Sequence, residues 1–285
     1  MKLNYPKQVF VNGEWLTAEN AKISIFDRGF LLGDGIYDVV PYYKGKFFRM
    51  KDHLDRLANG LSIVGIKFDV NQIIKDLEDA LAGAETEDGI LYIQITRGIA
   101  PRSHSFPSHS KPSVIIYSQP YLFEGFSDRK VDVTLEPDFR WHRCDIKSIS
   151  LIANVLLNQM GASEGYYETL LNREGLITEG TYTSVFFIKD NKVYTHPNGF
   201  HILPGITRKI VLELCEKAEI EFFENAVSVE ELDKMDGAFL AGTTAQITEI
   251  ACIHLAGEQQ RKICYQSSPL TKKLQNLFYI ATQEA

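Results

Sequence analysis

Short apolar segments joined by tight turns recur in both halves of the chain, and this feature limits the fold most. Asn12-Gly13 separates two such segments and is a strong signal for a two-residue hairpin turn. Lys44-Gly45 and Asp190-Asn191 separate later strand-like pairs. Amphipathic segments with helical spacing lie between the hairpins, including 50–61 and 206–218. The sequence therefore predicts an α+β protein with antiparallel hairpins, and not the strict strand–helix alternation of a doubly wound sheet.

The length of the chain suits one large or two modest domains. Its 285 residues are 45% apolar, which is enough to fill substantial cores. The segment YLFEGFSD at 121–128 interrupts the pattern of strands and helices. We therefore predict a smaller domain over 1–120, a linker over 121–126 and a larger domain over 127–285.

Composition and charge exclude several classes of protein. Lys and Arg number 30 against 37 Asp and Glu, a net charge of −7, and no basic block is present to neutralise nucleic-acid phosphates. No stretch approaches the roughly 18 uncharged apolar residues of a membrane span, and the first residues lack the apolar core of a signal peptide. The cysteines form no CxxC pair and are expected to be reduced, mostly buried thiols: Cys144, Cys215, Cys252 and Cys264. A soluble cytoplasmic protein is the expectation.

Two turns could bind a phosphate group. Leu203-Pro204-Gly205-Ile206-Thr207 precedes a predicted helix, where free backbone N–H groups favour an anion. An ordinary capped helix is the commoner explanation of this motif alone. A second hydroxyl-rich turn, Gly242-Thr243-Thr244, follows a buried strand and strengthens the phosphate interpretation. The nucleotide motifs GxxxxGK[ST] and GxGxxG are absent from the sequence.

A lysine and a glutamate stand out by their surroundings. Lys147 lies between Ile146 and Ile149, downstream of Arg140 and Arg143, and an apolar, cationic setting lowers the pKa of an amine and activates it toward carbonyl groups. A solvated surface lysine is the usual alternative. Glu179 enters an apolar strand beside Gly180, which is unusual for an unpaired carboxylate, although it could cap a turn.

The segment Arg102-Ser103-His104 lies in a long loop after a strand. An arginine offers two parallel donors to a carboxylate, and a histidine two residues away can add another. A loop arginine is more often simply solvated. Metal binding is not expected, because the seven histidines form no HxxxH or HxH group with thiols.

Together these motifs resemble one family. The sequence is similar to the fold-type-IV pyridoxal-phosphate-dependent aminotransferases, and among them most closely to the D-amino-acid aminotransferases. The most specific matches are Arg-Cys-Asp-Ile-Lys-Ser at 143–148 and the Arg-x-His loop at 102–104. The other matching runs, which extend the resemblance over essentially the whole chain, are 27–29, 33–37, 53–57, 96–98, 140–142, 178–180, 205–208 and 243–244.

The resemblance implies a two-domain α+β fold with pyridoxal 5′-phosphate at the domain interface. It implies that Lys147 holds the cofactor covalently and moves the substrate proton, and that Glu179 pairs with the pyridine nitrogen. Implied phosphate contacts come from Arg56, Ile206, Thr207 and Thr243, and the implied ring-face contact comes from Leu203. Implied substrate contacts come from Tyr37, Arg102, His104 and Thr244, with Arg102 and His104 reaching across from the second subunit of a homodimer.

The implied reaction is a ping-pong transamination through pyridoxamine phosphate, of the type D-alanine + 2-oxoglutarate = pyruvate + D-glutamate. The Arg-x-His loop, rather than the lysine, favours D substrates. The alternatives are a branched-chain L-amino-acid aminotransferase, an aminodeoxychorismate lyase or a catalytically inactive cofactor-binding relative. Tyr182 departs from the family pattern, which has small hydroxyl residues there, and is expected to reshape the side-chain pocket.

Overall fold

The computed structural model describes residues 5–123, 129–255 and 261–284, and these group into two compact units. The first unit consists of 5–122 and 146–150, and the second contains the other described residues. Residues 124–126 of the predicted linker lie outside the described residues, so the domain boundary stays a prediction. The segment 146–150, which the sequence analysis assigns to the larger domain, groups with the first unit.

The first unit is an antiparallel sheet with helices. Its strands are β1 (Gln8–Val11), β2 (Glu14–Thr17), β3 (Gly35–Tyr43), β4 (Lys46–Phe47), β5 (Gly89–Thr96) and β6 (Ser113–Pro120). Its helices are α1 (Arg28–Leu32), α2 (Met50–Ile63) and α3 (Ile74–Ala82). The strand order is β2-β1-β6-β5-β3-β4, with antiparallel pairing at each step.

Local sequence signals account for much of this unit. The predicted hairpin at Asn12-Gly13 is confirmed: both residues have positive φ angles, 54° and 107°, which suit the tight turn between β1 and β2. The predicted helix over 50–61 is confirmed as α2, which buries Leu57 and Leu61 completely in the core. Asp69 caps a short 3₁₀ helix, Val70–Ile73, which leads into α3.

The second unit is a mixed sheet with helices. Its strands are β7 (Lys130–Pro137), β8 (Glu168–Arg173), β9 (Leu176–Gly180), β10 (Ser184–Lys189), β11 (Lys192–Tyr194), β12 (Phe222–Phe223), β13 (Gly237–Gly242), β14 (Gln246–Leu255) and β15 (Lys262–Cys264). Its helices are α4 (Ile152–Ser163), α5 (Ile206–Lys217) and α6 (Pro269–Gln283). None of the described helices is long and apolar enough to cross a membrane.

The strand order of this sheet is β12-β11-β10-β13-β14-β7-β8-β9, with β15 beside β14. β7 pairs in parallel with both β14 and β8, so the unit is less purely antiparallel than the hairpin signals predict. The hairpin at Asp190-Asn191 is confirmed between β10 and β11. The helix predicted over 206–218 is confirmed as α5.

The expectation of reduced cysteines is wrong for two of the four. Cys252 on β14 and Cys264 on β15 form a disulfide, because the antiparallel register places them directly opposite each other. A spacing of 12 residues carries no local signal for such a pair. Within the described residues, Cys144 and Cys215 are free and buried, as expected.

Candidate active site

Lys147 is held by backbone pairing with the start of β3. The N–H of Tyr37 donates to the carbonyl of Lys147 at 3.1 Å, and the N–H of Ile149 donates to the carbonyl of Gly35 at 3.1 Å. The side chain of Lys147 is partly buried, and its Nζ donates to the Tyr37 hydroxyl at 3.4 Å. The same Nζ lies 4.4 Å from the centroid of the Tyr37 ring. The structure thus brings two of the predicted site residues into contact.

The Tyr37 ring belongs to a stack of aromatic side chains on neighbouring strands. Its centroid lies 5.7 Å from that of Tyr92, which lies 5.0 Å from that of Tyr117. Burial raises the pKa of Tyr92, so its hydroxyl stays protonated and donates to Gln94 Oε1 at 2.7 Å. This stack holds the Tyr37 ring, which the Lys147 amine contacts, in a fixed orientation.

Arg56 is held in place by a buried carboxylate that the sequence analysis missed. Asp38 on β3 accepts from Arg56 Nε at 2.9 Å and from Arg56 Nη2 at 2.8 Å. His53 Nδ1 lies 2.7 Å from Asp38 Oδ1. Burial lowers the pKa of His53, so the ring is neutral and donates to Asp38. The available signal was an Asp at a core-facing position of the apolar strand GIYDVVPYY.

The ionised form of Asp38 is strongly favoured. Burial alone would raise the pKa of Asp38, but the Arg56 guanidinium and the hydrogen bond from His53 outweigh it and hold the pKa well below its usual range. Asp38 is completely buried, whereas its partner Arg56 keeps a small exposed fraction. The cluster therefore presents a guanidinium whose orientation is set from within the core.

Arg102 and His104 lie on the exposed loop over 98–112 of the first unit. Within the described residues, no hydrogen bond joins either side chain to Tyr37, the third residue predicted to bind the substrate carboxylate. The structure therefore places these two side chains in solvent.

Glu179 is a buried acid at the end of β9 in the second unit. Its Oε1 accepts from Arg140 Nη1 at 2.7 Å, and its Oε2 accepts from the Leu203 N–H at 3.0 Å. Burial raises the pKa of Glu179 to about 7, although both hydrogen bonds oppose the shift. Arg140 is fixed in turn by both oxygens of Asp138, which also accepts from Arg173. Sequence analysis predicted Glu179 but not this supporting network.

The contact between Glu179 and Leu203 brings the acid close to the first glycine turn. Two residues after Leu203, Gly205 is the N-cap of α5, and a Cβ there would lie 2.9 Å from Ser184 Oγ. The first backbone N–H groups of α5, from Ile206 and Thr207, have no partner within the helix, so they can bind an anion. These donors and the acid lie within one unit.

Thr243 and Thr244 form the turn between β13 and β14 and are partly buried. A Cβ on the preceding Gly242 would lie 3.4 Å from Thr183 Cγ2, so this turn packs against the segment that follows Glu179. An acid suited to a protonated ring nitrogen and a helix N-terminus suited to a phosphate fit pyridoxal 5′-phosphate chemically.

Glu168 holds the segment that contains Tyr182. This completely buried carboxylate accepts from the hydroxyls of Thr181 and Thr183 at 2.5 and 2.9 Å, and from the Thr181 N–H at 3.1 Å. Tyr182 points outward, half exposed, and its hydroxyl donates to the Tyr167 carbonyl at 3.2 Å. Its expected effect on the substrate pocket stays a prediction.

Comparisons with known proteins agree with the predicted resemblance. Residues 35–253 match the family described as amino-transferase class IV. The chain is 36% identical to a D-alanine aminotransferase of Staphylococcus haemolyticus, over 95% of this chain and 96% of that protein. It is also 36% identical to a D-alanine aminotransferase of Bacillus licheniformis, over 94% of each chain.

The fold is also found among solved structures. The branched-chain amino acid aminotransferase of Escherichia coli superposes with a TM-score of 0.85, at 22% identity, over 96% of this chain and 94% of that chain. At this identity the likeness concerns the fold alone. The predicted fold class, an α+β fold of type IV, is confirmed.

The substitution Asp38→Asn tests the buried cluster. It keeps the shape of the side chain but removes the negative charge of Asp38 from beside the Arg56 guanidinium, so the free energy of unfolding should fall by about 3 kcal/mol at pH 7. Urea denaturation followed by circular dichroism measures this change. Asp55→Asn on the exposed face of α2, where Asp55 pairs with Lys51, is the matched control and should leave stability unchanged.

The stability difference between wild type and Asp38→Asn should depend on pH. Because the pKa of Asp38 is lowered by folding, its stabilisation is present above the unfolded pKa of about 3.9 and is lost as the pH falls further. The difference between wild type and Asp38→Asn should therefore shrink below about pH 4. Equal stability of the two substituted proteins at pH 7 would contradict the assigned role.

Proposed function

We propose that this chain, which belongs to the amino-transferase class IV family, transfers amino groups from D-amino acids to 2-oxo acids with pyridoxal 5′-phosphate as cofactor. The observation that carries the proposal is the buried Glu179, oriented by Arg140 and by the turn that begins α5. The D-alanine aminotransferases that match nearly the whole chain support the choice of substrate class.

In this proposal the Lys147 amine performs the proton transfer. Bound pyridoxal phosphate supplies an electron-withdrawing ring that acidifies the Cα–H of the attached amino acid. Lys147 Nζ would hold the cofactor through a covalent bond, and its free amine would serve as the base that accepts the Cα proton of the substrate and as the acid that gives the proton back. The Tyr37 hydroxyl, within 3.4 Å, restrains this flexible amine.

Glu179 is proposed to keep the ring nitrogen of the cofactor protonated. A carboxylate whose pKa is about 7 shares a proton readily with a pyridine nitrogen. A positively charged pyridinium beside Glu179 would favour the ionised carboxylate, and the carboxylate would in turn favour the protonated nitrogen. Arg140 and the Leu203 N–H hold the carboxylate oxygens, so the acid does not need to reorganise during the reaction.

The phosphate group is proposed to bind the N-terminus of α5. Its partners would be the N–H groups of Ile206 and Thr207, the Thr243 hydroxyl and the Arg56 guanidinium, which Asp38 orients. Leu203 is proposed to pack on the ring face away from the substrate. A plain capped helix would not need a second hydroxyl-rich turn packed against the segment that follows Glu179.

The substrate carboxylate is proposed to bind Arg102, His104 and Tyr37, with Thr244 as a further contact. Fixing the carboxylate and the amine determines which hydrogen on Cα points at Lys147, so the placement of these donors selects the hand of the amino acid. This assignment is why we favour D-amino acids over branched-chain L-amino acids.

A homodimer is part of the proposal. On α4, Ile152, Val155, Leu156 and Met160 are apolar, recur at helical spacing and are exposed, which suits a face covered by a second copy. Arg102 and His104 are proposed to complete the partner's site. A cytoplasmic location stays our expectation from the sequence.

The substrate class is tested with the purified holoenzyme and 2-oxoglutarate. D-Alanine should give pyruvate, while L-leucine should react at least about 10²-fold more slowly, because a misplaced Cα–H costs this much in rate. Coupled lactate dehydrogenase detects the pyruvate, and an amino-acid analysis detects the glutamate. Faster reaction of L-leucine would instead support a branched-chain aminotransferase.

Arg102→Ala tests the assigned carboxylate contact. Loss of a bidentate, charge-assisted pair should lower kcat/KM for D-alanine on the order of 10²–10³-fold, mainly through KM. Arg261→Ala is the control, since Arg261 is an exposed arginine in the second unit that pairs with Asp233. An unchanged kcat/KM in Arg102→Ala would exclude Arg102 from the site.

A further inference from the structure

We infer that Arg28 and Phe106 are positioning residues for the loop over 98–112 and set the geometry of Arg102 and His104. The inference rests on the proposed function, in which these two side chains bind the substrate carboxylate. It concerns contacts within the first unit only, and neither Arg28 nor Phe106 has an assigned role in the reaction.

The ends of the loop are fixed to each other and to α1. Gly98 has a φ of +94°, and a Cβ on it would collide with the carbonyl oxygen of Lys111, so the two ends of the loop touch through their backbones. The Arg28 N–H donates to the Gly98 carbonyl at 2.9 Å. The Gly98 N–H donates to Thr96 Oγ1 at 3.0 Å. The base of the loop therefore cannot hinge freely.

The Arg28 side chain fixes the backbone on both sides of His104. Its Nη1 donates to the Ser103 carbonyl at 2.6 Å and to the Ser105 carbonyl at 3.4 Å. Its Nε donates to Asp34 Oδ2 at 2.7 Å, and the guanidinium is almost completely buried. Because Arg28 is anchored in this way, it transfers the rigidity of the core to the segment that carries both carboxylate donors.

Phe106 holds the loop from the other side. The centroid of its ring lies 3.6 Å from Arg97 Cζ, and the phenyl group is 65% exposed, so its stacking on Arg97 is a main contact of this side chain. Arg97 is itself anchored by Asp34 and by the carbonyl of Val64 at 2.7 Å. Asp34 thus joins the two arginines that hold the loop.

The loop therefore has a fixed backbone, while the side chains that are proposed to bind the substrate remain exposed. Arg102 and His104 are exposed, and over the described part of the chain neither forms an ion pair, while the carbonyls of Ser103 and Ser105 are fixed. Holding the donors in place beforehand removes an ordering cost from substrate binding. Loosening the loop should therefore weaken recognition of the carboxylate and leave the cofactor unaffected.

The experiment measures the amine half-reaction of the holoenzyme, followed by the cofactor absorbance, with two donors. D-Alanine carries the carboxylate, and (R)-2-aminopropan-1-ol lacks it. Arg28→Lys should lower the efficiency for D-alanine on the order of 10–10²-fold, and Phe106→Ala by about 3-fold, with little change for the amino alcohol. Tyr279→Ala, a similarly exposed aromatic on α6, is the control and should alter neither reaction.

A second measurement does not depend on activity. Trypsin should cleave the Arg102–Ser103 bond at least about 5-fold faster in Phe106→Ala than in wild type, because a loosened loop enters the protease more easily. Thermal unfolding and the visible spectrum of the bound cofactor should match wild type. If Arg28→Lys fails to fold, Phe106→Ala decides the question.

The outcomes separate this inference from the proposed function. Equal slowing of both donors, or an unchanged D-alanine reaction together with unchanged trypsin cleavage, overturns the positioning role of Arg28 and Phe106. If Arg102→Ala is impaired while Arg28→Lys and Phe106→Ala are not, the inference fails and the proposed function stands. If wild type does not react with D-alanine, both fail.

Discussion

The burial of the Glu179 carboxylate is the constraint on which the rest of the candidate site depends. Removing an acid from water is costly unless its oxygens are hydrogen-bonded, and here one oxygen is held by Arg140 and the other by the Leu203 N–H. Arg140 is itself held by Asp138, so the acid is the inner end of a chain of charges. The hydrogen bond to Leu203 also fixes the turn before α5, and it thereby sets the position of the carboxylate with respect to the N-terminus of this helix.

The first unit also uses buried ion pairs, but there the acids hold the arginines in place. Asp38 and Asp34 are acids that orient arginines: Asp38 holds Arg56, and Asp34 holds Arg28 and Arg97. Asp38 is more buried than the Arg56 guanidinium that it orients, whereas Asp34 keeps a small exposed fraction and holds two arginines that are more buried than itself. Charged side chains proposed to meet the cofactor and the substrate are therefore directed by ion pairs that solvent screens weakly.

Elements with a strong local signal could be predicted from the sequence. The turn at Asn12-Gly13, the stripe of α2 and the helix after Gly205 follow from positive φ angles, apolar spacing and capping, all within a few residues. The resemblance to the class IV aminotransferases was likewise visible, because its motifs keep their order along the chain. The contact of Lys147 with Tyr37 joins residues 110 positions apart, and only that resemblance assigned both residues to one site.

Other features could not be predicted because they arise from tertiary pairing. The disulfide needs the register of β14 and β15, the grouping of 146–150 with the first unit needs its pairing with β3, and the Arg140–Glu179 pair joins residues 39 positions apart. The role of Asp38 was missed because its partners, His53 and Arg56, lie on a helix that meets the strand only in the folded protein.

The central claim is that the Lys147 amine is the group that binds the cofactor, and one measurement tests it directly. The holoenzyme is treated with sodium borohydride, digested, and mapped by mass spectrometry for a pyridoxyl phosphate group. The account predicts this group on the peptide that contains Lys147, and its loss in Lys147→Ala. A pyridoxyl phosphate group on another lysine of the wild-type protein, or on none, would contradict it.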